Sequence, residues 1–443
     1  MHHHHRAILR LGLPIAVGQL GVIVMGFADT MMVGRYSTTA LAAASFVNSA
    51  FNLIFFMLVG YSYGLTPLIA GLFGRGERGE AGRTLGHAVV CNLLYAAVLV
   101  GVMAGVYFCL SGFGQPEEVL PLVRPYYLCI LASMPFVALF NVLRQFTDGI
   151  TETRTAMWVL LAGNALNLLG NWLLIYGVGP FPEWGLTGAG VSTLVARVAV
   201  AVILLAHLCL RGRYADYRAG LHHFLPRRPL LRQIHRQSFP ISLQMGMETG
   251  AFTLSCVMAG WLGAVHLAAF QVMLTVGTLG YLFYYSFGSG LSIRVALFYG
   301  QKDWPEVRRA TAAGTHILLG MALISSSLMW GADRWLVGLF TSDPAVLSLA
   351  LSLIPPLVLY QLGDAMQVCY ANALRGTAQV KAMMWIAFVS YLCVNLPVGY
   401  FLAFVCGWES FGLFIAFSFG LFTAALLFLR SYRRALAEAG RRG

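Results

Sequence analysis

The stretch that decides the fold is residues 239–260, FPISLQMGMETGAFTLSCVMAG, whose single charged residue, Glu248, lies near the middle. At about 1.5 Å per residue, a helix of this length crosses a hydrocarbon core about 30 Å thick. A carboxylate at that depth costs about 2.5–3.5 kcal/mol on insertion scales. Because such a cost is normally associated with a function, Glu248 is the first candidate functional residue.

Composition places the rest of the chain in the membrane as well. Of the 443 residues, 58% are hydrophobic and 10% are charged, whereas a soluble domain carries about 25% charged residues. The mean hydropathy is +0.73. Apolar segments of about 20 residues favour helices over the short alternating strands of an outer-membrane barrel. We therefore expect an all-α integral membrane protein.

Twelve apolar segments follow one another along the chain. They cover residues 8–33, 45–72, 86–110, 122–147, 156–178, 187–210, 237–260, 267–297, 312–332, 346–372, 382–404 and 410–430. Loops rich in Arg and Lys alternate with loops that hold only Arg35, Arg124 and Arg334. The positive-inside rule therefore predicts that both termini are cytoplasmic. The net charge of +12 belongs to this topology signal, and we expect no nucleic-acid binding.

The two halves of the chain are copies of each other. A shift of 226 residues brings Pro14 onto Pro240, and a shift of 227 brings Trp158 onto Trp385. Halves of six spans repeat in parallel about an axis along the membrane normal. We therefore expect twelve transmembrane helices in two six-helix pseudo-twofold bundles that face each other across a central cleft. The predicted divisions are an N-lobe at 1–210, a basic cytoplasmic linker at 211–236 suited to anionic lipid headgroups, a C-lobe at 237–430 and a basic cytoplasmic tail at 431–443.

Only three of the 17 acidic residues lie well inside the predicted spans: Asp29, Glu248 and Asp364. They fall on the first, seventh and tenth spans. A carboxylate out of water can hold a proton, a metal ion or a cationic solute. The alternative is that the three acids are protonated and only tie helices together. This interpretation is weaker, because Asn or Ser would form the same hydrogen bonds between helices at a lower free-energy cost of insertion.

Polar side chains accompany these acids. Asn164, Asn167 and Asn171 share one helix face at i, i+3 and i+7. The residues that flank Asp364 are Tyr360, Gln361 and Gln367. Arg197 is the one base near the middle of a span, and it either pairs with an acid or extends toward the interface.

The remaining reactive residue types suggest no catalytic set. All eight cysteines lie within or at the edge of apolar segments, as buried small hydrophobes do. The run at residues 2–5, HHHH, has the look of a purification-tag fragment and is excluded from metal reasoning. No phosphate-binding loop, HExxH or Ser/His/Asp arrangement is present. We expect no enzyme activity and no cofactor.

The chain resembles the multidrug and toxic compound extrusion (MATE) family in its NorM-type branch. The stretches that carry the resemblance are PIAVGQLGVIVMGFADTMMVG, LAAASFVNSAFNLIFFMLVGYSYGLTPLIAGLFG, PISLQMGMETGAFTL and GDAMQVCYANALRGT. The resemblance covers essentially the whole chain after the histidine run. It implies a monomeric antiporter of the plasma (inner) membrane. Such proteins export cationic amphipathic drugs or toxic compounds in exchange for Na⁺ or H⁺ by alternating access.

The resemblance also implies roles for individual residues. The C-lobe cation site would consist of Glu248, Tyr360 and Asp364, with Na⁺ possible at the two acids and the Tyr360 ring facing the ion. The second cation-linked site, in the N-lobe, would consist of Asp29, Asn167, Asn171 and Thr193. Some relatives have an acid where this chain has Asn171. Substrate would contact Phe252, Gln271, Tyr281 and Gln367.

Three other functions fit the sequence less well. A lipid-linked oligosaccharide flippase of the same superfamily tends to carry a basic cleft for pyrophosphate, whereas this chain has three acids against one Arg in its spans. An integral-membrane enzyme would need convergent acid, base or metal groups. A passive channel fits the repeat less well than alternating access does. The choice between Na⁺ and H⁺ stays open from the sequence.

Overall fold

The computed structural model describes residues 2–113, 118–222 and 227–442, so part of the predicted linker, residues 223–226, and the last residue of the tail lie outside the described residues. Within the described ranges every regular element is helical, and the all-α prediction is confirmed. The α-helices are α1 (His2–Tyr36), α2 (Thr38–Ser62), α3 (Leu65–Gly74), α4 (Arg78–Phe108), α5 (Leu120–Gly149), α6 (Thr153–Tyr176), α7 (Gly185–Leu210), α8 (Ala215–His222), α9 (Arg228–Trp261), α10 (Ala264–Gly300), α11 (Trp304–Gly331), α12 (Asp333–Gly338), α13 (Pro344–Ser352), α14 (Ile354–Gly376), α15 (Lys381–Ala387), α16 (Leu396–Tyr400) and α17 (Glu409–Arg442).

Most of these helices are long and apolar enough to cross a membrane. Among the described residues ten spans pass this test, and α13 with α14, bent by 49° relative to each other, would form an eleventh. Helix α9, which contains the stretch at 239–260, is 34 residues long but is not among these spans. Polar side chains such as Gln244 and Glu248 lower its hydropathy, so the least apolar long helix is the one that carries a predicted site.

Contacts divide the chain into two compact units at related places. The N-terminal unit contains residues 17–242, and the C-terminal unit contains residues 1–16 and 243–443. Both divisions fall two residues after a proline inside a helix, Pro14 in α1 and Pro240 in α9. A proline in a helix interior removes a backbone hydrogen bond and favours a kink. The first segment of each helix therefore packs with helices of the other half of the sequence.

Two glycines allow these first segments to pack closely. A Cβ at Gly64, before α3, would lie 2.4 Å from Ser238 Oγ and 2.6 Å from Ser238 Cα of α9. A Cβ at Gly290 of α10 would lie 3.0 Å from the Ile8 carbonyl oxygen of α1. Gly64 and Gly290 are the residues that the 226-residue shift brings together. The sequence repeat is thus matched by a repeated helix contact, one in each unit.

Each unit has its own apolar core. In the N-terminal unit α5 is the most buried span, and the Phe51 and Tyr127 rings meet with centroids 4.7 Å apart. In the C-terminal unit α14 and α17 occupy the centre, where Phe270 packs against Phe414 at 4.8 Å. Packing in these cores fixes the positions of the helices that carry the candidate site residues within each unit.

The span at 381–405 differs from its counterpart α6. It contains π-helical segments at Phe388–Asn395 and Phe401–Val405. A π turn accommodates one residue more than an α turn, so side chains in this span do not keep the α-helical register of α6. Both amide atoms of Asn395 are buried without a hydrogen-bond partner.

Part of the basic linker is docked by ion pairs. Arg213 is paired with Glu152, and Arg78 Nη1 lies 2.8 Å from Asp216 Oδ2. The Tyr214 hydroxyl donates to Glu152 Oε2 at 2.6 Å. Burial, together with the Glu152 carboxylate, raises the pKa of this hydroxyl. Both arginines are therefore engaged with carboxylates of the N-terminal unit.

The histidine run forms the first turn of α1. His4 is buried, and its Nε2 lies 2.7 Å from Glu306 Oε2 of α11. The His5 ring stacks on His316 with centroids 5.8 Å apart. These histidines pack as part of the C-terminal unit.

We predict that Gly64→Ala lowers the thermal unfolding temperature of the purified protein in detergent. The added methyl group meets the backbone of Ser238, and overpacking of this kind costs about 1–3 kcal/mol. The matched control is Gly101→Ala in α4, where a Cβ meets nothing within 4 Å and alanine is the better helix former. Equal unfolding temperatures for the two variants would contradict the close contact.

Candidate functional site

The acids of the C-terminal unit lie on facing helices. Helix α9 presents Gln244, Glu248 and Phe252 at i, i+4 and i+8, which share one helix face. Gln244 Nε2 donates to Glu248 Oε2 at 3.1 Å. Helix α14 presents Tyr360 and Asp364 in the same spacing. The Phe252 and Tyr360 rings meet edge to face with centroids 6.3 Å apart, which brings the two faces together.

Several buried oxygens near the acids have no hydrogen-bond donor. Asp364 is 2% exposed and Gln367 is 2% exposed. Asp364 Oδ2, Gln367 Oε1 and Gln244 Oε1 are all buried without a partner. The Glu248 and Asp364 carboxylates lie within electrostatic range of each other. Unpartnered buried acceptors are costly, and oxygen ligands of this kind suit a proton or a hard cation.

Aromatic rings form one wall of this region. The Phe252 ring stacks on Phe417 with centroids 4.6 Å apart, and Tyr360 lies 6.1 Å from Phe417. Tyr281 lies within electrostatic range of Tyr360. The buried Tyr391 hydroxyl lies within interaction range of Glu248. Rings with their faces beside carboxylates favour organic cations.

The predicted residues of the C-terminal unit are not all equally close to the acids. Gln271 is exposed, and its Nε2 donates to Cys256 Sγ at 2.8 Å, one helical turn from Phe252 along α9. Gln361, which flanks Asp364 in sequence, is fully buried. Its amide accepts from the Tyr284 hydroxyl at 2.8 Å and donates to the Gly277 carbonyl at 3.1 Å. Gln361 therefore ties α14 to α10.

The predicted polar cluster of the N-terminal unit is also assembled. Asn171 Nδ2 donates to Asp29 Oδ1. With the Asn167 amide oriented to suit its neighbours, its nitrogen donates to Asp29 Oδ1 at 3.2 Å. The Asn167 oxygen then accepts from Ser192 Oγ at 3.1 Å and from the Thr193 backbone N–H at 3.2 Å. Helices α1, α6 and α7 thus meet at one carboxylate.

Asn164 and Arg197 lie beside this cluster. Asn164 Nδ2 is buried without a partner and does not join Asp29. Arg197 Nη1 donates to Ser133 Oγ at 2.7 Å, and its guanidinium carbon lies 5.9 Å from the centroid of Phe55. Among the described ion pairs within 4 Å, none involves Arg197.

Sequence reasoning missed a further acid, which is buried, and two polar residues that contact the candidate sites. Asp148, at the end of α5, is 4% exposed, and its Oδ2 lies 3.7 Å from Arg144 Nε. It falls one residue beyond the predicted span at 122–147, where i, i+4 spacing to Arg144 was the available signal. Ser192, which precedes the predicted Thr193, and Tyr391 are uncharged. The search for charged residues in apolar segments therefore did not identify them.

Known proteins were compared with the chain. The MatE family model matches residues 14–173 and 240–401. The probable multidrug resistance protein NorM of Geobacillus kaustophilus (strain HTA426) is 30% identical over 424 residues, which is 95% of this chain and 93% of that protein. The multidrug resistance protein NorM of Vibrio cholerae serotype O1 is 28% identical over 426 residues, 95% of this chain and 93% of that protein.

Solved structures match the fold over nearly the full length. A crystal structure of MATE in the bent conformation has a TM-score of 0.90 at 19% identity, covering 99% of this chain and 97% of that chain. A MOP superfamily transporter from Pyrococcus furiosus Vc1, described as having a binding pocket of reverse polarity, has a TM-score of 0.88 at 18% identity, with the same coverage. These matches confirm the predicted twelve-helix fold class.

We predict that Asp148→Asn destabilises the protein because Arg144 then stays buried without its carboxylate. Removing one partner of a buried ion pair costs about 3–5 kcal/mol, whereas replacing both partners by apolar residues is often neutral. Thermal unfolding of Asp148→Asn and of the double variant Arg144→Met/Asp148→Leu checks this. A double variant less stable than Asp148→Asn would contradict a purely structural pair.

Proposed function

Because the chain belongs to the MatE family, we propose that it is a secondary active multidrug efflux antiporter that exports cationic amphipathic compounds in exchange for Na⁺ or H⁺. The family resemblance predicted from the sequence is confirmed, as is the prediction of a transporter rather than an enzyme. The chain is a multi-pass membrane protein. We place it in the plasma (inner) membrane with cytoplasmic termini, on the distribution of its basic loops.

One observation carries the proposal. Glu248 and Asp364 lie within electrostatic range of each other in a region where Asp364 Oδ2, Gln244 Oε1 and Gln367 Oε1 have no donor. Two carboxylates and acceptor oxygens without donors form a site that bound positive charge would stabilise. Either a small ion or the charged group of a drug supplies it.

The rings beside the acids suit one substrate class. The Tyr360 and Phe252 rings meet edge to face, each one helical turn from a carboxylate on its own helix, and Tyr281 lies within electrostatic range of Tyr360. A flat or bulky organic cation gains apolar contact and cation–π attraction there. Gln271, which contacts Cys256 one helical turn from Phe252, and Gln367, whose Oε1 has no donor, offer polar contacts. We infer that substrate and coupling ion compete for Glu248 and Asp364.

Competition becomes transport when the site is exposed alternately to the two sides of the membrane. From outside, Na⁺ or H⁺ binds the acids and displaces the drug. From inside, the ion leaves and drug takes its place. Coupling requires that each ligand bind the two states with different affinity. The membrane potential adds about 2.3 kcal/mol per charge per 100 mV.

The N-lobe cluster has a supporting role in this proposal. Asp29 accepts hydrogen bonds from Asn171 and Asn167, with Thr193 beside them. We propose that this cluster binds positive charge and is linked to the transport cycle. Asn171 supplies a neutral amide, so only one carboxylate of the cluster is available.

We predict that Glu248→Gln and Asp364→Asn each abolish drug resistance in cells lacking other efflux pumps. Each variant removes one of the two charges that attract the cation, so transport falls by more than tenfold. Glu438→Gln, at an exposed position of α17, is the matched control and is expected to behave as wild type. Wild-type resistance from either site variant at equal expression would refute the role.

The function itself is tested in proteoliposomes that contain the purified protein and tetraphenylphosphonium, a permanent organic cation. A Na⁺ gradient and a pH gradient are imposed separately. We expect one of them to drive uphill movement of the cation, and Glu248→Gln to abolish it. Movement that neither gradient accelerates would contradict antiport.

We predict that Asp29→Asn lowers the transport rate about tenfold or more while the protein stays monodisperse and folded. The variant removes the charge that the amides of α6 surround. The control is Thr30→Val at the neighbouring exposed position, for which we expect wild-type kinetics. Unchanged kinetics in Asp29→Asn would remove it from the transport cycle.

A further inference from the structure

The span at 381–405 carries buried polar side chains that the proposed function leaves without a role. Ser390 is fully buried, and Tyr391 and Asn395 are each 2% exposed. All three belong to the π-helical segment Phe388–Asn395. Turns of π-helix are rare and often occur at functional sites. The span therefore concentrates buried polar groups where its backbone departs from the α-helix.

These polar groups have no partner among the described residues. The Ser390 and Tyr391 hydroxyls and both amide atoms of Asn395 are buried without a hydrogen bond. Buried polar atoms in proteins are nearly always hydrogen-bonded, and an unpaired one costs free energy. Several such atoms on one segment indicate a partner that is not part of the chain.

Helix α17 packs closely on this segment. A Cβ at Gly420 of α17 would lie 2.9 Å from Asn395 Cβ and 3.0 Å from the Ser390 carbonyl oxygen. Further along the span, a Cβ at Gly399 would lie 3.4 Å from Ala416 Cβ. The higher number on one helix meets the lower number on the other, so the span and α17 run antiparallel.

Helix α9 brings Glu248 to the depth of the same segment. The Phe252 ring of α9 stacks on Phe417, which lies between these two contacts on α17. A Cβ at Gly399 would lie 3.9 Å from Met258 Cε of α9, so α9 and the span run in the same direction. Glu248 precedes Phe252 by one turn, about 6 Å. The carboxylate is therefore level with residues 391–395.

Tyr391 connects this segment to both acids. It packs in one apolar cluster with Tyr360, and its hydroxyl lies within interaction range of Glu248 and Asp364. Asn395 follows Tyr391 by four residues, just under one π turn, so the two side chains share one helix face. The unpartnered phenol and amide are thus directed to the side of the span on which the acids lie.

The chemistry of this region favours a monovalent metal ion over a proton. A proton binds one carboxylate oxygen and makes no use of neutral oxygens beside it. A hard metal ion is coordinated by several oxygens, which include carboxylates and amide carbonyls. Glu248 and Asp364 carry two negative charges, and Arg375, within electrostatic range of Glu248, offsets part of this charge. A single positive charge with several oxygen ligands fits this balance.

We propose that Tyr391 and Asn395 are further ligands of the C-lobe cation, and that their oxygens make the site at Glu248 and Asp364 selective for a monovalent metal ion such as Na⁺ over a proton. This inference rests on the proposed function and narrows it. The Tyr391 hydroxyl can donate to a carboxylate while a lone pair of its oxygen faces the ion. Asn395 Oδ1 supplies a second neutral oxygen.

The test compares the two ions on the purified full-length protein in detergent. Displacement of tetraphenylphosphonium is measured as Na⁺ is raised at fixed pH and, separately, as pH is lowered without Na⁺. We expect Tyr391→Phe and Asn395→Leu each to raise the Na⁺ concentration for half displacement about tenfold or more. Displacement by protons should not weaken, because a proton needs only the carboxylates.

Controls separate the ligand role from packing. Tyr400→Phe removes an exposed hydroxyl of the same span and is expected to behave as wild type. Asn395→Asp keeps an oxygen ligand and is expected to keep the displacement by Na⁺. In Asp29→Asn the displacement by Na⁺ should persist, because it arises at the C-lobe acids. If Asn395→Leu does not fold, Tyr391→Phe, which removes one hydroxyl, decides.

Three results would overturn the inference. The first is a wild-type protein from which protons but not Na⁺ displace tetraphenylphosphonium. The second is a loss of the Na⁺ effect in folded Asp29→Asn, which would assign Na⁺ to the N-lobe cluster. The third is a folded Tyr391→Phe in which displacement by Na⁺ is unchanged, or weakens only as much as displacement by protons.

The inference and the proposed function can fail separately. Binding of radioactive Na⁺ that is lost in Asn395→Leu, without movement of tetraphenylphosphonium under either gradient in proteoliposomes, would refute the antiport and leave the ligand assignment standing. Antiport that a pH gradient drives and a Na⁺ gradient does not would refute the ligand assignment and leave the antiport standing.

Discussion

A carboxylate in a hydrocarbon environment must be matched by positive charge, and the described spans solve this problem in three ways. Asp148 is paired with Arg144 on its own helix. Asp29 accepts hydrogen bonds from the amides of Asn171 and Asn167. Glu248 accepts from the Gln244 amide, whereas Asp364 Oδ2 and the neighbouring amide oxygens of Gln244 and Gln367 are buried without a donor. In this third arrangement the unpartnered oxygens lie beside two carboxylates, which favours the binding of positive charge from outside the chain.

The duplicated architecture makes the difference between the two units meaningful. The contact at Gly64 in one unit corresponds to the contact at Gly290 in the other, so the helices are arranged by the same rules. The charged residues do not follow the repeat, because Asp29 corresponds to Ser255 and Arg197 to Ala424. One scaffold therefore carries different charged residues in its two units, and the two carboxylates that we assign to ion and drug binding, Glu248 and Asp364, both lie in the C-terminal unit.

Much of this could be predicted from the sequence because charges in apolar segments are rare. The all-α class, most of the spans and the positions of the acids Asp29, Glu248 and Asp364 within apolar segments followed from hydropathy and charge patterning. Helical periodicity brought Asn167 and Asn171 to one face, and the structure joins both to Asp29. Asp148 was missed because a span end is uncertain by a few residues, and Tyr391 because uncharged side chains give no such signal. The π-helical turns at Phe388–Asn395 depend on side-chain packing, which the hydrophobic periodicity of the sequence does not predict.

The central claim is that Glu248 and Asp364 hold either the coupling ion or the drug, but not both. The most direct measurement is the affinity of the purified protein for tetraphenylphosphonium as Na⁺ is raised and, separately, as pH is lowered. The account predicts that one of these ions weakens binding competitively in the wild type. Glu248→Gln/Asp364→Asn should bind weakly and no longer respond to the ion. An ion dependence of the same size in that double variant would contradict the account.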